Sequence, residues 1–177
     1  MGKLILILGG TRSGKSRYAV ELAKQLDGKT VYLATMKCDD EEMKERIKKH
    51  KESRPESWQT VEEGQKCDEI LLNLRGLCEV AVIDCLTNLI ANLLEQFEEE
   101  KQVLSCVETM LKIIAESNFT VLMVSNEVGS GIVPVTPLGR KFRDIAGLTN
   151  QLAARYADEV YLMTAGIPVR IKPHTGG

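Results

Sequence analysis

The run Leu4-Ile5-Leu6-Ile7-Leu8, followed at once by Gly9-Gly10-Thr11-Arg12-Ser13-Gly14-Lys15-Ser16, constrains this chain more than any other stretch. An apolar segment of strand length breaks at paired glycines, and a helical pattern begins directly behind them. Gly9, four residues, then Gly14, Lys15 and Ser16 satisfy the phosphate-binding spacing G-x-x-x-x-G-K-[ST]. Glycines let backbone N–H groups converge on a polyphosphate without Cβ obstruction, and the helix aims its positive end at the same anion. Gly9, Gly10, Thr11, Arg12, Ser13, Gly14, Lys15 and Ser16 are therefore the expected nucleotide cradle. Lys15 would reach the β/γ oxygens, and the Ser16 hydroxyl would ligate a bridging Mg²⁺.

The rest of the chain alternates in the same manner. Tyr18, Leu22, Ala23 and Leu26 fall at helical spacing, with Gly28 as the expected stop, and Thr30–Ala34 reads as a second buried strand. Such a βαβ unit implies a right-handed crossover, with ligands beyond the carboxyl ends of the strands. Ala34, Thr35 and Met36 are then expected near the nucleotide. A helix is predicted from Asp39 to about Arg54, where Pro55 disfavours its continuation. Further strands are predicted at 58–61, 79–83, 119–124 and 159–164, separated by helical patterns and followed by a hairpin partner at 169–171. The strand at 79–83 delivers Asp84 at its carboxyl end, the second half of a phosphate-loop site, where a carboxylate holds Mg²⁺ directly or through water. The expectation is one domain over 1–177 with a three-layer, P-loop NTPase-like α/β fold. Its sheet would be mostly parallel, with an antiparallel C-terminal edge hairpin.

Composition narrows the setting. In 177 residues, 23 Lys+Arg against 25 Asp+Glu leave no global field to argue for nucleic acid or an anionic membrane. No apolar stretch approaches the roughly 20 residues that span a bilayer, and no secretory signal precedes the loop. Five scattered cysteines without a C-x-x-C pair fit a reducing cytoplasm better than a disulfide framework or a zinc site.

A phosphate loop alone says little about the reaction. The discriminating segment is Arg46-Ile47-Lys48-Lys49-His50-Lys51-Glu52-Ser53-Arg54-Pro55. Five basic side chains around His50 would keep the imidazole neutral and nucleophilic and would draw in a polyphosphate. A solvated basic helix face with a half-buried histidine would use the same residue types, so both readings stand at this level.

Five colinear stretches decide between them. They are Gly9–Arg17, Arg46–Trp58 with His50 and Arg54-Pro55, Val82–Asn88, Asn126–Pro134, and Phe142–Gly147 with Asn150-Gln151. Together they resemble the bifunctional adenosylcobinamide kinase/adenosylcobinamide-phosphate guanylyltransferase family across essentially the whole chain. The resemblance implies phosphorylation of adenosylcobinamide with an NTP, ATP or GTP. GMP transfer from GTP to the resulting phosphate would follow, through a covalent GMP–histidine at His50. It makes His50 and Lys15 catalytic, with Lys51, Glu52, Ser53, Arg54, Glu62 and Asp84 as nucleotide contacts and Ser16 and Asp84 as Mg²⁺ ligands. Asn126, Glu127 and Gly129–Gly131 are implied on the corrinoid or subunit side, and the assembly is implied to be a cytoplasmic homotrimer. The alternatives are a kinase with a single activity and a nucleotide-binding regulatory module.

Overall fold

Even and odd residues of the buried strands belong to different hydrophobic clusters. Leu4, Leu6 and Leu8 pack on one face of a sheet, and Ile5 and Ile7 on the other. Val31 and Leu33, Ala81 and Ile83, and Val121 and Met123 join the first cluster. Tyr32 and Ala34, Val80 and Val82, and Leu122 and Val124 join the second. This two-residue period with apolar groups on both faces is what a parallel sheet sandwiched between helices requires.

The computed structural model describes residues 2–37, 51 and 54–173. The described elements run β1 (Leu4–Gly9), α1 (Lys15–Gln25), β2 (Thr30–Ala34), β3 (Gln59–Glu62), α2 (Cys67–Asn73), β4 (Val80–Asp84) and α3 (Leu86–Gln96). They continue with α4 (Glu100–Ala115), β5 (Thr120–Asn126), α5 (Pro137–Tyr156), β6 (Glu159–Thr164) and β7 (Ile167–Lys172). The strands form one sheet in the order β3-β2-β4-β5-β1-β6-β7. Every pairing is parallel except β6 with β7. The expected three-layer fold with an antiparallel C-terminal edge is therefore the observed one. α1 supplies Ala19, Val20 and Ala23 to one layer, and α2 to α5 build the other.

Local chemistry sets the element ends. Thr136 caps α5, its Oγ1 accepting from the Gly139 N–H at 3.1 Å, and Pro137 occupies the first turn. α1 ends at Gln25, before Gly28, which instead forms the left-handed turn into β2 at φ 121°. A Cβ at Gly28 would lie 2.6 Å from the Glu79 side chain. Ala165 and Gly166 both have positive φ, 51° and 82°, the pairing a tight two-residue hairpin turn needs between β6 and β7. Among the described residues no helix is long and apolar enough to cross a membrane.

The helix expected from Asp39 lies outside the described residues, apart from Lys51 and Arg54, as does the chain from 174 to 177.

Candidate active site

β1 lies between β5 and β6, so the loop leaving it emerges near the middle of the sheet's carboxyl edge. Gly9 stands opposite Asn126 of β5 and Met163 of β6. A side chain at Gly9 would meet Ser13 Oγ at 2.6 Å and the Met163 carbonyl at 2.7 Å, so the close packing of the loop against β6 requires glycine there. Gly14, at φ 94°, is the N-terminal cap position of α1 and offers no side-chain acceptor to the first N–H groups of that helix. Unpartnered helix N-termini are anion sites. The loop is braced from both flanks: the Glu127 N–H donates to the Gly9 carbonyl at 2.9 Å, and the Gly166 N–H donates to the Ser13 carbonyl at 3.1 Å.

Lys15 folds into the cradle. Its Nζ donates to the Gly10 carbonyl at 2.6 Å and lies 3.4 Å from Ser13 Oγ, and the residue is only 7% exposed. Burial pulls its pKa below the ordinary lysine value, against the opposing pull of Cys85 and Asp84. The Cys85 thiol is itself pushed up to about 12 by burial. It is therefore neutral at physiological pH, and Asp84 is the counter-charge that operates there.

Asp84 ends β4, on the same sheet face as Val80, Val82 and α1. The Tyr32 hydroxyl reaches along this face and donates to Asp84 Oδ2 at 2.5 Å. Burial first, and the Asp84 charge second, raise the Tyr32 pKa well above the usual phenol value, so the hydroxyl stays a donor. The Arg54 guanidinium lies over the Tyr32 ring, 3.5 Å from its centroid. Among the described residues Arg54 Nε, which is buried, has no hydrogen-bond partner.

The sequence-predicted residues divide by place. Gly9–Ser16 and Asp84 line the same stretch of the carboxyl edge, and Met36 is half-buried just beyond β2. Lys51 ion-pairs with Glu62 at 2.5 Å at the end of β3, so Glu62 is separated from Asp84 by one intervening strand. Ala34 is buried, and so is Thr35. The Thr35 hydroxyl accepts from the Cys85 N–H and donates to the Cys85 carbonyl, both at 2.7 Å, fixing the backbone just after Asp84. His50, Glu52 and Ser53 lie outside the described residues.

Several residues to which sequence reasoning gave no role of their own also shape this edge. Tyr32 was absorbed into an apolar strand. Asn92, on the otherwise apolar face of α3, donates to the Thr35 and Gly64 carbonyls, each at 2.9 Å. Thr87, Ser125 and Asn150 form a buried network under Asn126. The available signal was polarity out of place, since Asn92 follows Leu89 and Ile90 and precedes Leu93.

The family model for cobinamide kinase/cobinamide phosphate guanyltransferase matches residues 5–171. The chain belongs to this family. It is 39% identical to the bifunctional adenosylcobalamin biosynthesis protein CobU of Escherichia coli K12, over 96% of this chain and 99% of that protein. With the protein of the same description from Salmonella typhimurium it shares 37% identity at the same coverage. The bifunctional adenosylcobalamin biosynthesis protein CobP of Pseudomonas aeruginosa is 36% identical over 94% of this chain and 96% of that one. The chain is thus a transferase of the cobinamide kinase/guanyltransferase family in cobalamin biosynthesis, acting on small molecules.

Solved structures agree at the level of fold. A KaiC-like protein from Pyrococcus horikoshii superposes with a TM-score of 0.53 at 14% identity, over 90% of this chain and 70% of its own. An ATPase of a bacterial type III secretion system superposes with a TM-score of 0.64 at 13% identity, over 92% of this chain and 51% of its own. Both share the mostly parallel α/β fold of this chain.

Proposed function

We propose that the two activities share the cradle at the end of β1 and proceed in order on adenosylcobinamide. In the first, the hydroxyl of its aminopropanol arm attacks the γ-phosphorus of ATP or GTP held by Gly9–Ser16, releasing the nucleoside diphosphate. In the second, an imidazole nitrogen of His50 attacks the α-phosphorus of GTP. The bond to the bridging oxygen breaks, and pyrophosphate leaves with that electron pair. An oxygen of adenosylcobinamide phosphate then attacks the same phosphorus, the P–N bond breaks, and adenosylcobinamide-GDP is released with His50 restored. One difficult displacement becomes two easier ones. The observation that carries the reading is the buried Lys15 inside a glycine cradle beside Asp84, in a chain matched to the family from 5 to 171.

Lys15 would leave the Gly10 carbonyl for the β/γ oxygens, and the N–H groups at the start of α1 would take the remaining phosphate charge. Lys51 and Arg54 flank His50 in sequence and, with Glu52, Ser53, Glu62, Ala34 and Met36, would line the nucleotide, with Thr35 behind them. Among the described residues no cluster of three or more His, Cys, Asp or Glu side chains forms a self-contained cage. That suits Mg²⁺, which keeps its waters and substrate phosphates and needs few protein oxygens. Ser16 and Asp84 would supply those oxygens, and the bound ion would neutralise charge on the phosphates. The reading places the protein in the cytoplasm as a homotrimer. The exposure in a single chain of Ile132, Val133, Val135 and Leu138 supports a surface covered in the assembly.

Incubation with GTP labelled at the α-phosphate tests the histidine step. The expected result is an acid-labile, alkali-stable protein adduct that His50→Ala abolishes. Phosphorylated cobinamide without any protein label would instead leave a kinase with a single activity. Nucleotide binding with neither product would leave a regulatory module.

A further inference from the structure

Tyr32 stands apart from the rest of the core. Its side chain is among the largest fully buried ones in the structure, yet its hydroxyl ends on a carboxylate at the rim of the nucleotide site. The register explains the reach. Ala34 lies beside Asp84, and Tyr32, two residues earlier on the same face of β2, lies beside Val82. A ring rising from that position along the sheet brings its oxygen level with Asp84. Two features hold the ring in place. Below, it packs in the cluster of Ala19, Val20, Ala23 and Val82. Above, the Arg54 guanidinium covers its face at 3.5 Å.

We infer that Tyr32 is a positioning residue for the metal end of the site, setting the rotation of the Asp84 carboxylate through its hydroxyl. Hydrogen bonds to an ionised carboxylate are stronger than those between neutral groups, and partners behind a ligating carboxylate hold its geometry and tune its affinity. An octahedral ion tolerates little misorientation of the carboxylate that binds it. The neighbouring backbone is fixed independently by Thr35, which grips the Cys85 N–H and carbonyl. Tyr32 acts instead on the side chain, through its hydroxyl on Asp84 Oδ2. The inference rests on the assignment of Asp84 as an Mg²⁺ ligand.

The test is Tyr32→Phe, which keeps the buried ring and the platform for Arg54 and removes one oxygen. Binding of a fluorescent GTP analogue is titrated with Mg²⁺ and repeated in excess EDTA. The half-saturating Mg²⁺ concentration is expected to rise about tenfold, as second-layer changes at metal sites do. Metal-free nucleotide affinity should stay within twofold. An unchanged Mg²⁺ titration would overturn the inference, and so would an equal loss with and without metal. Asp84→Asn separates the two levels of the argument. If it shifts the Mg²⁺ titration and Tyr32→Phe does not, only the role of Tyr32 fails. If neither variant shifts it, the metal assignment fails first.

Discussion

Two polar constellations stand close together at the carboxyl edge, and they are finished differently. Under the β5–α5 connection, the Asn126 N–H donates to Thr87 Oγ1 at 2.7 Å, and Thr87 and Ser125 hydroxyls meet at 3.2 Å. Ser125 then donates to Asn150 Oδ1 at 2.7 Å, and Asn150 Nδ2 returns to the Asn126 carbonyl at 3.1 Å. The single Ser125 proton goes to Asn150, so Thr87 must be the donor between the hydroxyls, and the ring closes on itself. At the phosphate loop, by contrast, a buried ammonium leans on its own loop carbonyl, and over Tyr32 the Arg54 Nε is buried with no partner among the described residues. The closed ring holds the shape of the edge. The open set retains unsatisfied capacity that suits a charged ligand.

The largest effect that would break this contrast is Lys15→Ala. Both phosphoryl and guanylyl transfer should fall by roughly 10²–10³-fold in kcat, the scale of removing one preorganised charge donor. The thermal midpoint of the ligand-free protein should hold or rise, because an ammonium no longer has to be buried. A steep loss of stability would mean that Lys15 belongs with the structural groups. Retention of full guanylyl transfer would mean that the two reactions use separate sites.

Asn150→Ala should behave in the opposite sense. Leaving the Ser125 hydroxyl and the Asn126 carbonyl unpartnered should cost about 1–3 kcal/mol in urea unfolding. The double variant with Ser125→Ala should cost less than the sum of the singles, because both belong to one ring. Strict additivity would show that the ring is not a unit.

The smallest expected effect is in pH. The folded protein lowers the Lys15 pKa, mainly by burial, so between the folded and unfolded values the unfolded chain binds more protons. Stability from this group is therefore lowest below the folded pKa and recovers as pH rises toward the ordinary lysine value. Unfolding of the wild type and of Lys15→Met, compared across alkaline pH, should show the gap between them narrowing as pH rises. A gap that widens would place the ammonium in a stabilising environment.

Much of this was legible because the physics is local. Glycine spacing, a lysine and a strand ending in aspartate announce Gly9–Ser16 and Asp84 without any tertiary information. Thr136-Pro137 announces the start of α5 in the same way. Strand order was not readable: β1 pairs with β5 and β6, more than 100 residues downstream, and apolar strands carry no label for their neighbours. Tyr32 was missed because a buried aromatic in an apolar strand looks like core, and half of its role is core. Thr35 looked like a ligand contact by its place at a strand end, and only the fold shows its hydroxyl engaged by Cys85. The resemblance, not residue chemistry alone, separated His50 from a solvated basic face.

The reversal of β7 has one more consequence. The direct antiparallel return makes a tight two-residue turn at the carboxyl end of β6, and that turn gives the Gly166 N–H to the Ser13 carbonyl of the phosphate loop. The loop and its brace stand far apart in sequence and meet only in the folded sheet. A nucleotide held by the cradle is therefore also held, at one remove, by the β6–β7 hairpin.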